Sequence, residues 1–258
     1  MMITFETKVY ENDWKYILLG DYLNKMINNC GFQFEERVLF INNVKNINEV
    51  VKYAQRKIDD GIIDCFYIVE EYADKALEFF AIKKESFERG YYYSIAELVS
   101  IYLCKTEYLL HFSSDSFIRE KETNWIKNAI EIFKERKDII VANPTWNYNY
   151  KDANEESLFE LGNFYVGYGF SDQCYLLKTK EFKNKIYNEK NTISERYPNY
   201  GGELFEKRVD SFMRNHGFYR ITCKEMSYIH LNFPKKDFFY HFNIIVKYLA
   251  KRRFELSH

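Results

Sequence analysis

The residues best placed to do chemistry sit where apolar runs stop. Leu109 to Phe112 leads straight into Ser113, Ser114 and Asp115, two small hydroxyl side chains and one carboxylate. Hard divalent ions such as Mg²⁺ and Mn²⁺ take oxygen ligands, commonly one or two carboxylates together with substrate phosphates. Asp115 is positioned to be such a ligand. An aspartate capping the turn after a strand fits the same residues, and spacing alone favours that plainer role. Three other polar groups follow apolar runs in the same way: Thr7-Lys8-Val9-Tyr10, Asn42-Asn43 and Glu70-Glu71. The five histidines (His111, His216, His230, His241, His258) include no H-E-x-x-H spacing, which argues against a zinc hydrolase. The five cysteines (Cys30, Cys65, Cys104, Cys174, Cys223) form no C-x-x-C pair and lie mostly among apolar neighbours. Reduced, buried thiols are expected.

These positions need elements to hold them. Ile3 to Phe5, Arg37 to Ile41, Cys65 to Val69 and Tyr108 to Phe112 read as buried strands, with Thr7 to Tyr10 as a loop. Between them, apolar residues recur at helical spacing from Trp14 to Ile27, Val50 to Ile58, Ala73 to Phe80 and Ser94 to Cys104. That β-α-β-α rhythm predicts a largely parallel sheet with helices on both faces. Ligands of such sheets gather beyond the carboxyl ends of the strands, where all four polar groups fall. The second half is less regular. It predicts a helix over Trp125 to Arg136, a strand over Ile139 to Ala142 halted by Pro144, and a surface loop over Asn147 to Glu155. A strand over Cys174 to Leu177 and a helix over Gly202 to His216 follow.

The 258 residues contain no repeat and no Pro/Gly-rich linker, so one α/β domain is expected. With 37 basic against 38 acidic residues the net charge is -1, which gives no case for a nucleic-acid partner. The N-terminus lacks a basic segment followed by an apolar run, and no apolar stretch reaches membrane-spanning length. A cytoplasmic protein is expected.

The stretch Ser94 to Phe117, SIAELVSIYLCKTEYLLHFSSDSF, resembles the GT-A glycosyltransferases of the family-2-like, nucleotide-sugar-dependent kind. In that fold a helix leads into a strand ending in an Asp-x-Asp signature. Laid against it, Ser113 and Ser114 take the first two positions and Asp115 the last, the carboxylate that holds the metal under the donor diphosphate. Ser113 departs from the pattern; a hydroxyl there can still reach ribose, with a weaker grip on metal. The first segment, ITFETKVYENDW, is similar to the part that grips the nucleotide base, which makes Thr7, Lys8 and Tyr10 donor contacts, with Tyr10 able to stack on the base. Asn42 and Asn43 fall where the family reads base or ribose. In YPNYGGELFEKRVDSFMRNHGF, Glu203 takes the place of the carboxylate base at a helix start. It equally suits the helix dipole, and Glu206 and Asp210 are weaker alternatives. His230 matches a late histidine that serves metal or diphosphate. Trp146, Tyr168, Asp172 and Gln173 fall on the acceptor side.

The resemblance implies a single GT-A type domain with a mainly parallel central sheet flanked by helices. Residues 1–118 would handle the nucleotide sugar and 119–235 the acceptor. It implies an enzyme of the EC 2.4 class, hexosyl or related, acting in polysaccharide biosynthesis. The donor would be a nucleoside-diphosphate sugar, the cofactor Mn²⁺ or Mg²⁺, and the acceptor a hydroxyl of a carbohydrate or lipid-linked molecule, by inversion. The spacing over residues 236–258 predicts a basic amphipathic helix, with Phe238, Phe239, Phe242, Ile245, Val246 and Leu249 on one face. Packing on its own domain or a second subunit, as a homodimer, is the common use of such a helix; peripheral contact with the inner face of a membrane is the other. Two alternatives stand beside the transferase. A sugar-phosphate nucleotidyltransferase needs a Gly-rich loop after the first strand, and TKVYEND has no glycine. A catalytically degenerate module binding nucleotide, carbohydrate or a partner protein is motivated by Ser113 and by Leu204, which stands where an acid usually follows the base.

Overall fold

The computed structural model describes residues 2–119, 124–197 and 202–233. The expected helix over 236–258, with its membrane and dimer contacts, lies outside them. Strands β1 (Ile3–Val9), β2 (Glu36–Ile41), β3 (Cys65–Ile68) and β4 (Tyr108–Phe112) pair in parallel in the order β3-β2-β1-β4. β9 (Cys174–Lys178) joins β4 antiparallel, followed across the sheet by β6 (Ile139–Trp146), β10 (Tyr219–His230), β8 (Phe164–Gly167) and β7 (Phe159–Leu161). β5 (Ser116–Ile118) pairs off this path with β10. Among the described residues the sheet therefore has ten strands, and only β5, β8 and β9 oppose the common direction.

Alternation along the strands divides the core in two, because successive side chains point to opposite faces. Phe5, Leu39, Ile41, Leu110, Phe112 and Leu176 pack against α1 (Trp14–Leu18), α2 (Tyr22–Asn28), α3 (Ile47–Asp59) and α6 (Trp125–Glu135). Val38, Phe40, Leu109, Val141, Tyr175 and Leu177 pack against α4 (Val69–Phe80), α5 (Tyr91–Leu103) and α9 (Phe205–His216). Of the five thiols, Cys30, Cys104, Cys174 and Cys223 are buried, and all are free. Among the described residues no helix is long and apolar enough to cross a membrane.

Several expectations are corrected. Thr7, Lys8 and Val9 are not loop: β1 runs to Val9, in register with β2 as far as Ile41. The single helix from Trp14 to Ile27 is two, interrupted at 19–21, where Gly20 sits. Glu70 and Glu71 begin α4 as exposed first-turn acids, suited to the helix dipole. Pro144 does not halt β6, which continues to Trp146. On its β9 side β6 pairs only at Val141 and Ala142, so Pro144 lies where that flank has no ladder and its missing N–H costs nothing there. The polar stretch after Asn147 contains the short helix α7 (Tyr150–Glu155). The short strands β5, β7 and β8 and the long β10 were not anticipated.

Leu110 is fully buried in β4, between β1 and β9. Leu110→Ala is expected to cost about 3 kcal/mol through lost burial and the cavity left behind, read as a lower urea midpoint at unchanged m-value.

Candidate functional site

Asp115 sits in the turn between β4 and β5, and backbone bonds hold both sides of it. The Leu231 N–H donates to the Asp115 carbonyl and the Ser113 N–H to the Gln173 carbonyl, each at 2.8 Å. Antiparallel pairing of β5 with the end of β10 sets His230 opposite Ser116. His230 Nε2 then lies 3.0 Å from Asp115 Oδ2. Ser113 Oγ is 3.2 Å from Asp115 Oδ1 and 2.7 Å from Ser116 Oγ. Burial works against ionising Asp115, but the bonds from His230 and Ser113 outweigh it, and its pKa falls below the ordinary carboxylate value. The bond to Asp115 raises His230 above the ordinary imidazole value in spite of partial burial.

The imidazole is held from behind. Its Nδ1 is 3.4 Å from Gln173 Nε2, and Gln173 Oε1 accepts from the Tyr228 hydroxyl at 3.1 Å, while the His230 backbone N–H donates to Asn147 Oδ1 at 3.0 Å. The two expected metal ligands, far apart in sequence, are thus brought together. Their spacing suits one ion: neighbouring ligands of an octahedral site with bonds of about 2.1 Å are roughly 3 Å apart. With Asp115 and His230 as protein ligands, a bound ion would take its remaining ligands from phosphate oxygens and water, as is usual for a hard cation at a nucleotide. Among the described residues no group of three or more His, Cys, Asp or Glu side chains stands ready to hold a metal alone.

Beside this pair lies a carboxyl that sequence reasoning missed. Asp13 accepts the Tyr10 N–H at 2.7 Å and the hydroxyl of Ser114. It ties the loop after β1 to the loop after β4. Burial pushes its pKa up to about 7, against the help of those two bonds, and the charge of Asp115 adds to the rise. An acid between the end of a strand and the start of α1 was the available signal, and it reads first as a helix cap.

A third group lies on the far side of β1. Lys8 pairs with the buried carboxylate of Glu97, and its charge also reaches Asp13 and Glu206. Glu206, in the first turn of α9, is pushed up to about 8 by burial and then by the charge of Asp172, although the Asp172 backbone amide and Lys8 favour its ionised form. Asp172 also acts on His230. Asp115, Asp13, Lys8, Glu206, Asp172 and His230 therefore form a circuit of groups, each within range of its neighbours' charges, around the carboxyl ends of β1 and β4.

The other expected residues divide. Tyr10 is exposed on the rim, within reach of the charges on Asp13 and Asp115. Asn43 is exposed in the left-handed region at φ 49°, which asparagine tolerates, and Asn42 Nδ2 donates to the Tyr92 carbonyl at 3.1 Å. Thr7 is fully buried and donates to the Phe112 carbonyl at 2.7 Å, and Ser114 turns inward to Asp13, so both hydroxyls are spent on the scaffold. Trp146 lies under the Arg220 guanidinium and Tyr168 under that of Arg214. Glu203 precedes α9, 2.8 Å from Lys207, and lines a polar cavity of about 300 Å³ with Glu85, Glu88 and Arg208 that includes no member of the circuit. Glu206, weighed from sequence as a lesser alternative, is the carboxyl of this region that the structure brings to the circuit.

Asp13 gives the fold a pH dependence. Its folded pKa lies above the unfolded one, so its contribution is complete below the ordinary carboxylate range and is lost as pH rises through about 7. Between pH 5 and 8 that amounts to about 2–3 kcal/mol, at 1.36 kcal/mol per unit. Asp13→Asn keeps the acceptor for Tyr10 and cannot ionise; urea unfolding across that range should show a flatter stability profile than wild type.

No protein-family model matches this sequence, and no curated protein does. Solved structures do resemble the fold. GalNAc-T7 with UDP, GalNAc and Mn²⁺ matches over 89% of this chain and 44% of its own, at 9% identity and a TM-score of 0.53. A mycobacterial protein matches over 90% and 68%, at 9% identity and 0.50. Glucosyl-3-phosphoglycerate synthase from Mycobacterium tuberculosis, in complex with Mn²⁺, UDP and glucosyl-3-phosphoglycerate, matches over 90% and 73%, at 11% and 0.46, too distant to weigh. The chain spans less than half the length of GalNAc-T7. With its mostly parallel sheet, helices on both faces and a polar turn at the end of β4, this chain has the GT-A fold of the nucleotide-sugar glycosyltransferases.

Proposed function

We propose that this chain transfers a sugar from a nucleoside-diphosphate sugar to a hydroxyl of a glycan, glycolipid or similar acceptor. What carries this reading is the meeting of Asp115 and His230 at 3.0 Å beyond the end of β4, in a fold shared with GalNAc-T7, whose structure holds UDP and Mn²⁺. Asp115 and His230 would hold a divalent ion, Mn²⁺ or Mg²⁺. When bound, the ion neutralises charge developing on the departing diphosphate. Ser113 orients the Asp115 carboxylate, Gln173 orients the imidazole, and the Tyr10 ring offers a face to the base. A ligating His230 must first give up the Nε2 proton it now shares with Asp115, so metal affinity falls as pH drops through the raised pKa of His230.

The acceptor hydroxyl needs a base. Glu203, expected from sequence, is engaged by Lys207 beside a separate cavity. Glu206 lies near Asp172 and Lys8, and burial makes it a stronger base than an ordinary carboxylate. In its ionised form it takes the acceptor's proton as the oxygen attacks the anomeric carbon, giving inversion. A second reading, a module that binds nucleotide or carbohydrate without turnover, is favoured by Ser113, which leaves Asp115 the only carboxylate of the Ser113–Asp115 turn.

With UDP at a hundred times its Kd and Mn²⁺ present, binding should stabilise the protein by about 2.7 kcal/mol, a rise of several degrees in Tm. Asp115→Ala should abolish that rise; no rise with any nucleoside diphosphate at millimolar concentration would end the proposal. In a transfer assay over a panel of donors, kcat/KM should climb with pH toward a limb near 8 set by Glu206. Glu206→Gln should remove roughly a hundredfold or more of the rate and spare nucleotide binding, whereas Glu203→Gln should change it severalfold at most. The reverse ranking would return the role of base to Glu203, and nucleotide binding without turnover would favour the second reading.

A further inference from the structure

Two ionisable side chains are buried in the middle of the sheet, where a strand covered on both faces normally carries apolar residues. Glu6 on β1 stands directly opposite His111 on β4, with side-chain exposures of 2% and 1%. Glu6 Oε1 lies 2.6 Å from His111 Nδ1 and accepts the Ser100 hydroxyl at 3.1 Å. The imidazole stacks on Tyr175, with centroids 4.6 Å apart and planes 17° from parallel. Its Nε2 lies 2.9 Å from the Asp172 backbone carbonyl. Stability is a poor reason for such a pair, since apolar residues of similar volume often serve as well or better.

Proton accounting supplies another reason. A carbonyl oxygen only accepts, so Nε2 must carry hydrogen. The remaining proton lies between Nδ1 and Glu6, as imidazolium facing carboxylate or as imidazole facing carboxylic acid. Nε2 donates to Asp172 in both cases. The anchored carbonyl belongs to the segment that faces the metal pair and the base. The Asp172 charge acts on Glu206 and His230, the Gln173 amide meets His230 Nδ1, and the Gln173 carbonyl holds the Ser113 N–H.

We propose that Glu6 and His111 are a positioning pair: from inside the core they fix the Ser171–Gln173 segment and so set His230 against Asp115. The inference rests on the donor-binding reading above and touches no ligand itself. Two double variants separate anchoring from packing. Glu6→Leu with His111→Phe keeps the ring on Tyr175 and removes the donor to Asp172; Glu6→Leu with His111→Gln restores an N–H there. By calorimetry with UDP, the first is expected to bind Mn²⁺ about tenfold more weakly than wild type, as when an outer-shell partner of a metal ligand is lost. The second should return to within about threefold. Equal Mn²⁺ affinity in the folded Phe variant, or equal weakness in both, would overturn the anchor. In the wild type, nitrogen NMR should show hydrogen on His111 Nε2, as its bond to the Asp172 carbonyl requires, and an Nε2 without hydrogen overturns the proposal even where neither variant folds. A wild type that binds no UDP with Mn²⁺ sinks the transferase reading instead, leaving the anchor to be judged by that NMR measurement.

Discussion

The site depends on one register: three residues at the end of β10 lie antiparallel to β5, with His230 opposite Ser116. Along its first half β10 runs between β6 and β8 as an ordinary interior strand. Between Cys223 and Ser227 its pairing with β6 slips, which frees the strand to change neighbours. Only then does its end reach the turn after β4, where the Leu231 amide closes on the Asp115 carbonyl. A shift by one residue would turn His230 to the other face of the strand. The imidazole is therefore placed by backbone geometry, to which Asn147 adds a bond from the His230 backbone amide, and Gln173 refines its direction.

Around that turn the protein accepts an unusual number of costly groups. Asp13, Glu6, Glu97 and His111 are almost wholly buried, and each must be paired or neutralised because an isolated buried charge is too expensive to keep. Glu97 takes Lys8, Glu6 takes His111, and Asp13 meets its cost by holding its proton to near pH 7. Asp115 differs: it is partly open to solvent and gains enough from His230 and Ser113 to stay ionised. The contrast between Asp13 and Asp115, two acids in adjoining loops, follows from the imidazole that bonds to Asp115 and not to Asp13.

The first half of the fold was legible because buried parallel strands leave continuous apolar runs, and Asp115 stood out as the acid ending one of them. The metal-binding role proposed for it rests on resemblance, since spacing alone favours a turn cap. Less could be read where short strands carry too few residues to show a period, as in β5, β7 and β8. Thr7 and Ser114 look like contacts in a linear reading because nothing in their identity reveals which way a hydroxyl turns; both point inward. Glu203 and Glu206 are three residues apart near the start of α9, and the partners that separate them, Lys207 for one and Asp172 for the other, come from packing that the chain order does not display.

The free thiols acquire a use from where they lie. Cys30, Cys174 and Cys223 belong to the core under α1, α2, α3 and α6, while Cys104 belongs to the opposite core. Burial removes each from solvent and raises the pKa of Cys30, Cys174 and Cys223, so little reactive thiolate is on offer while the fold is closed. At these four a thiol reagent thus meets a gate rather than a nucleophile: its rate at each buried cysteine measures how often that side of the sheet comes open. The chain carries its own reporters of which face loosens first.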